Sequence, residues 1–196
     1  VEEQFYLLYP LILLLLWRRL RSKFAAVLAL ALLLSFAIAQ WSVHLSPLAA
    51  FYLLPTRAWE LLIGALVCIY LLRVNRHQFA RATNEIGGSF GLLLILFSIV
   101  AYNRQTEFPG VFALTPTLGT ALVIVFATQQ TFIGRLLSYK PLVGLGLISY
   151  SFYLWHQPLF VFARHMSLEE PGLRIMLVLV LLAFFLAYLT WRFVEV

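Results

Sequence analysis

Seven runs of apolar residues divide the chain, at about Gln4–Trp17, Phe24–Trp41, Ala49–Leu72, Ile86–Tyr102, Phe112–Thr128, Leu142–Ala163 and Ile175–Trp191. At ~1.5 Å of rise per residue, each is roughly long enough to cross a ~30 Å hydrocarbon core as a helix. The runs are continuous and do not alternate apolar with polar over about ten residues, which argues against a β-barrel. The pattern predicts an all-α, polytopic transmembrane helix bundle of about seven spans. The first run is the shortest and carries Pro10, so it is expected to draw on residues before Gln4 to complete its span. Pro55 in the third run is expected to kink that helix and free a carbonyl.

Composition agrees with this picture. The chain is 63% hydrophobic and 11% charged over 196 residues, which lies outside the range of a soluble domain. In a soluble chain the net charge of +6 would suggest nucleic acid. Here the Lys and Arg residues lie between the apolar runs, where they set orientation, so no nucleic-acid partner is expected. Arg18, Arg19, Arg21 and Lys23 follow the first run, and Ser42–Leu48 after the second contains no Lys or Arg. Arg73, Arg76 and Arg81 follow the third run, Arg104 alone the fourth, and Arg135 and Lys140 the fifth. The last loop holds Arg164 and Arg174 beside Glu169 and Glu170. Alternate loops thus carry most of the positive charge, which puts the start of the chain outside and its end in the cytoplasm. The chain opens on Val1 and closes at Glu195-Val196 just past an apolar run. Residues 1–196 are therefore expected to be a single transmembrane domain fragment of a longer protein.

Trp41, Trp59, Tyr102, Tyr139 and Trp191 fall near the ends of runs and are expected in the interfacial belts. Gly64, Gly87-Gly88 and Gly144-Leu145-Gly146 are expected where helices approach closely. The single Cys68 lies within an apolar run, so no internal disulfide is available.

Polar chemistry concentrates in a few places. Residues 145–161 read LGLISYSFYLWHQPLFV. Ser149, Tyr153 and His156 are spaced i, i+4, i+7, so they share one helix face. Such a stripe is costly against lipid and must face other helices or a wet cavity. In the third run Arg57 and Glu60 are spaced i, i+3 on one face. They read either as a self-compensating pair that holds the helix in place or as the lining of a polar cavity that meets substrate. Arg57 and Glu60 come ~12–17 Å from the outer end of their helix, and His156 ~20 Å above the inner end of its own. All three share the middle to outer bilayer and meet only if their helices are neighbours. Glu2 and Glu3 open a helix whose dipole they complement. Thr115-Pro116-Thr117-Leu118-Gly119-Thr120 marks a polar helix start. The four histidines show no metal-ligand spacing and the chain contains no Asp, so no metal site is expected. There is no G-x-S-x-G elbow and no P-loop. The only lysines, Lys23 and Lys140, lie in loops, which leaves no Schiff-base lysine for a retinal protein.

The strings VEEQFYLLYP (1–10), TRAWELLIGAL (56–66), FPGVFALTPTLGTALVI (108–124), KPLVGLGLISYSFYLWHQPLFVF (140–162) and WRFVE (191–195) occur in this order. Together they resemble the membrane-embedded acyltransferase 3 family, the bacterial O-acetyltransferases of lipopolysaccharide, peptidoglycan and exported polysaccharides. The resemblance implies a ten-span domain in the bacterial inner membrane. Such a domain passes an acyl group, usually acetyl from acetyl-CoA, to a carbohydrate hydroxyl outside. The family's acyl-handling histidine and its basic partner would lie before Val1, so this chain alone is expected to be inactive. The motif positions carried over are Glu3, Arg57, Glu60, Ser149, Tyr153, His156, Arg192 and Glu195. Glu60 or His156 is the expected proton relay. Arg57 is expected to hold an anionic group of CoA or the acceptor, or else to orient Glu60. Glu3, Ser149 and Tyr153 are toward substrate, and Arg192 either meets the CoA phosphates or anchors its helix by snorkelling. Gln157 stands where many members show an aromatic residue. Two other classes share these residues: a transporter or flippase with an intramembrane Arg57–Glu60–His156 path, and a structural subunit whose polar groups fix packing.

Overall fold

The structure, a computed structural model, describes residues 1–20, 23–74, 79–103, 105–166 and 172–195, the side chains of residues 2, 3 and 16–20 excepted. Much of the loop charge that predicts orientation (Arg18, Arg19, Arg21, Arg76, Arg104, Glu169 and Glu170) falls outside the described side chains. The chain divides into two compact all-α units, Val1–Arg135 and Leu136–Val196. In the first are α1 (Glu2–Leu20), α2 (Phe24–Leu45), α3 (Pro47–Tyr52), α4 (Leu54–Arg73), α5 (Arg81–Ala101) and α6 (Leu114–Phe126). A 3₁₀ turn, Val111–Ala113, leads into α6, and the short α7 (Phe132–Leu137) follows it. The second unit holds α8 (Lys140–Met166), α9 (Leu173–Thr190) and a π-helical segment, Trp191–Glu195.

Every apolar run is thus helical. Among the described residues, four stretches are long and apolar enough to cross a membrane: Phe24–Leu45, Pro47–Arg73, Arg81–Ala101 and Leu173–Glu195. Gln4–Leu15 and Val111–Phe126 are shorter apolar helices. The 27-residue α8 has the length, but it carries the polar run of residues 149–157.

The third run departs from the expected kinked helix. It breaks at Leu53, whose backbone is extended, and Pro55 takes one of the first two positions of α4. There its missing N–H is one of the donors that a helix start leaves unbonded in any case. Broken backbone within a bilayer must still satisfy its polar groups, and two side chains do so. The Thr56 hydroxyl lies 2.6 Å from the Ala50 carbonyl and 2.7 Å from that of Leu53, covering the end of α3. From α2, the Ser35 hydroxyl donates to the Pro55 carbonyl at 2.7 Å and accepts the Trp59 N–H at 3.0 Å. Pro55 C=O and Trp59 N–H form one i, i+4 rung of α4, so Ser35 ties α2 into that rung.

Trp59 is not a belt residue. It is 0% exposed and packs with Ala39 and Ala113, its ring edge-on to Phe36 at 5.1 Å. The small residues of α2 and of the turn before α6 leave the space that the indole fills. Among the described residues its Nε1 has no hydrogen-bond partner.

Glycines set the seam between α5 and α6. A Cβ on Gly91 would stand 2.7 Å from the Gly119 carbonyl oxygen, and one on Gly119 would stand 2.8 Å from that of Gly91. Gly87 meets the Phe126 ring in the same way, at 2.6 Å, and the Tyr102 hydroxyl donates to Thr115 at 2.7 Å at the far end. Gly87 and Gly91 form a small-xxx-small face that lets backbones touch. By contrast, a Cβ on Gly64, Gly144 or Gly146 would meet nothing within 4 Å among the described residues, so the expected close packing is not found at these three. Gly91→Ala is therefore expected to cost about 1–3 kcal/mol by forcing α5 from α6. Gly144→Ala should leave stability unchanged. Thermal midpoints of the two variants in detergent check the contrast.

Candidate functional site

Two polar groupings emerge, one in each unit. In the first, Arg57 and Glu60 occupy the second turn of α4, one turn below the break. Arg57 Nη2 donates to Glu60 Oε2 at 2.8 Å and Nε to Oε1 at 3.2 Å. This two-pronged geometry fixes the plane of the carboxylate. The guanidinium carbon stands 5.1 Å from the centre of the Phe51 ring on α3, a cation–π contact that reaches back across the break. Glu60 is 20% and Arg57 30% exposed, so the carboxylate stays reachable.

What reaches it is a groove of about 250 Å³ between α4 and α6. Glu60, Gly64 and Val67 line it from α4, and Thr117, Thr120 and Ile124 from α6. Positions 60, 64 and 67 share one helix face, as do 117, 120 and 124, so the two faces oppose each other. The absence of a side chain at Gly64 keeps one wall low. The start of α6 is pinned by Gln40 of α2, whose Oε1 accepts the Val111 N–H at 3.0 Å. Its Nε2 lies 3.4 Å from His44 Nε2, and His44 Nδ1 lies 3.5 Å from Glu107.

In the second unit α8 packs on α9 along a face other than the predicted stripe. Ser151 is 0% exposed, and its hydroxyl donates to Glu195 of the π-helical segment. Trp155 Nε1 donates to Thr190 at 2.8 Å, and the Phe152 and Phe184 rings lie 4.3 Å apart. Ser149, Tyr153 and His156 do share the adjacent face. Tyr153 is 55% exposed, and the Ser149 hydroxyl donates to the Gly146 carbonyl at 2.7 Å. His156 is half-buried and stacked on Phe152, with Phe160 edge-on. Its Nδ1 lies 3.1 Å from the Phe152 carbonyl. A carbonyl only accepts, so Nδ1 carries the hydrogen and the neutral ring keeps its lone pair on Nε2.

Of the predicted residues, the structure thus joins Arg57 to Glu60 and keeps Ser149, Tyr153 and His156 on one face of α8. Arg192 is exposed on the π-helical segment, where Glu195 is the residue that bonds to α8. Glu3 begins with α1, and its side chain lies outside the described residues. The sequence reading missed that Thr117 and Thr120 line one groove with Glu60, the roles of Ser35 and Gln40, and the Ser151–Glu195 bond. The available signal was weak: lone polar residues in apolar helices, and a Thr-Pro-Thr helix start.

Comparison with known proteins adds an independent line. The profile of a family described as an acyltransferase domain matches residues 1–192. The peptidoglycan O-acetyltransferase OatA of Listeria monocytogenes is 26% identical over 208 residues, covering all of this chain and 33% of the relative. The O-acetyltransferase OatA of Staphylococcus aureus is 26% identical over 206 residues, with 34% of its length covered. YrhL of Bacillus subtilis is 28% identical over 207 residues, with 33% covered. The chain therefore spans about a third of the length of these curated relatives. No solved structure matches it.

Proposed function

This chain belongs to the acyltransferase 3 family, and from that premise we propose that it is membrane-embedded machinery for O-acetylation of a cell-wall carbohydrate. The acyl group comes from acetyl-CoA, and the acceptor is a glycan hydroxyl on the outer side of the bacterial inner membrane. The observation that carries this reading is a carboxylate, Glu60, held in one plane by Arg57 beside a groove open to a ligand.

Acyl transfer to an alcohol needs the hydroxyl proton removed as the C–O bond forms. Glu60 receives the hydroxyl as a hydrogen-bond donor and takes its proton. The sugar oxygen then bonds to the acyl carbon, the C–S bond of the thioester breaks, and the thiolate of CoA leaves and recovers the proton. Arg57 keeps the carboxylate oriented through the step. His156, whose Nε2 is left free of the Phe152 carbonyl bond, is the second proton relay, and Ser149 and Tyr153 beside it bind substrate. Glu3 is assigned to substrate as well. Arg192, at the cytoplasmic end in the orientation that the loop charges predict, meets the CoA phosphates.

The transporter reading is weaker because the relatives reported above are named O-acetyltransferases. The experiment supplies acetyl-labelled acetyl-CoA to oriented membrane vesicles containing the intact protein and measures alkali-labile label on glycan. Label on glycan is the expected result. Its absence, together with solute uptake that ignores CoA, would replace acetyl transfer with transport.

A further inference from the structure

The chemistry of the groove between α4 and α6 specifies more than access to Glu60. A threonine hydroxyl has one hydrogen to give. That of Thr117 goes to the Ala113 carbonyl at 2.7 Å, and that of Thr120 to the Pro116 carbonyl at 2.8 Å. Both bonds stay local, to the turn that leads into α6 and to its first turn, and leave each hydroxyl oxygen with lone pairs alone. Glu60 already receives two hydrogens from Arg57 and, ionised, has none to donate. The polar side chains lining this groove therefore accept hydrogen bonds and do not donate them.

We propose that the α4–α6 groove is the subsite for one sugar ring of the glycan acceptor, with Thr117 and Thr120 as the residues that select it. The inference rests on the acetyl-transfer reading above and assigns its acceptor half to a place. A row of acceptors repels phosphate and carboxylate oxygens, so the CoA end of the donor is excluded. Donor-rich ligands fit, and sugar hydroxyls are donors at fixed spacing around a ring. The volume of about 250 Å³ falls below the ~300–1,000 Å³ of pockets that enclose a drug-sized ligand, so a single ring enters at a time. Ile63, Val67 and Ile124 supply an apolar wall for the C–H face of a pyranose. A metal ion or an ammonium gains little, since Arg57 already balances the carboxylate. The location also suits a glycan. Thr117, Thr120 and Glu60 lie in the first two turns of α6 and α4, which is the outer half of both helices in the predicted orientation.

Two variants of the intact protein test this without disturbing Glu60. Thr117→Val with Thr120→Val keeps shape and removes both acceptors. Gly64→Leu fills the groove from α4, where a Cβ would meet nothing within 4 Å among the described residues. In steady-state assays with acetyl-CoA and an N-acetylglucosamine oligomer, each variant should raise the oligomer KM by about ten-fold or more. The acetyl-CoA KM should stay unchanged. An unchanged oligomer KM in both variants, or a shift in the acetyl-CoA KM instead, would overturn the assignment. Equilibrium binding of the oligomer to the protein in nanodiscs, with no acetyl-CoA present, separates this claim from the one it rests on. Binding lost in both variants supports the subsite even if no acetyl is transferred, whereas binding retained in both removes it even if transfer proceeds.

Discussion

Glu60→Gln is expected to lower acetyl transfer to glycan by about 10²–10⁴-fold, the range typical of losing a positioned general base. Glutamine keeps the length and one acceptor oxygen of the side chain but cannot take up the hydroxyl proton. It also replaces the carboxylate beside Arg57 with a neutral amide, which weakens charge compensation within the bilayer, so loss of activity alone would be ambiguous. Arg57→Lys resolves this. It retains a cation beside an intact carboxylate and surrenders only the two-pronged grip. If Glu60 is the base, the lysine variant keeps substantially more activity than the glutamine variant at equal folded yield. If the pair only stabilises α4, both variants lose activity in step with folded protein, and specific activity per folded molecule stays constant. Labelled-acetyl transfer, normalised to monodisperse protein by size-exclusion chromatography, separates the two outcomes.

Trp59→Ala is expected to destabilise the first unit by about 3–5 kcal/mol, as for truncation of other buried large aromatics. Between helices in a membrane the driving force is close packing more than escape from water, and Trp59 fills the space between Ala39 and Ala113. Trp59→Phe should cost far less. It retains much of the ring volume and deletes the indole N–H, a buried donor that has no partner among the described residues and that costs ~1–3 kcal/mol when left unmet. Thermal unfolding in detergent, followed by scanning fluorimetry, gives the ordering. Equal losses for the two variants would mean that the indole nitrogen is bonded after all, through an ordered water.

All seven runs were legible because helix formation in a bilayer needs only length and apolarity. The break at Leu53 was not, since Phe51-Tyr52-Leu53-Leu54 reads as uninterrupted apolar chain. The contacts that accommodate it include Ser35, about twenty positions away. The Arg57–Glu60 pair was legible because i, i+3 spacing is local. For α8 the spacing correctly grouped Ser149, Tyr153 and His156, yet the face that α9 covers is the one with Ser151, and its partner Glu195 lies 44 positions downstream. Periodicity tells which residues share a stripe; only the neighbour decides which stripe is buried. The same holds for glycine. Gly91 and Gly119 touch because each faces the other, while Gly64 sits opposite an opening and holds nothing together.

Arg57 and Glu60, opposite in charge, ride on a single helix within one turn of each other. Sliding or tilting of α4 against α6 would widen or narrow the channel beside them without pulling them apart. No bare ion is exposed to hydrocarbon during such breathing, so the dielectric barrier that normally freezes charged helices in place is absent. Entry and exit of a bulky guest can then be governed by soft packing alone, while the poise of the carboxylate travels unchanged with its helix.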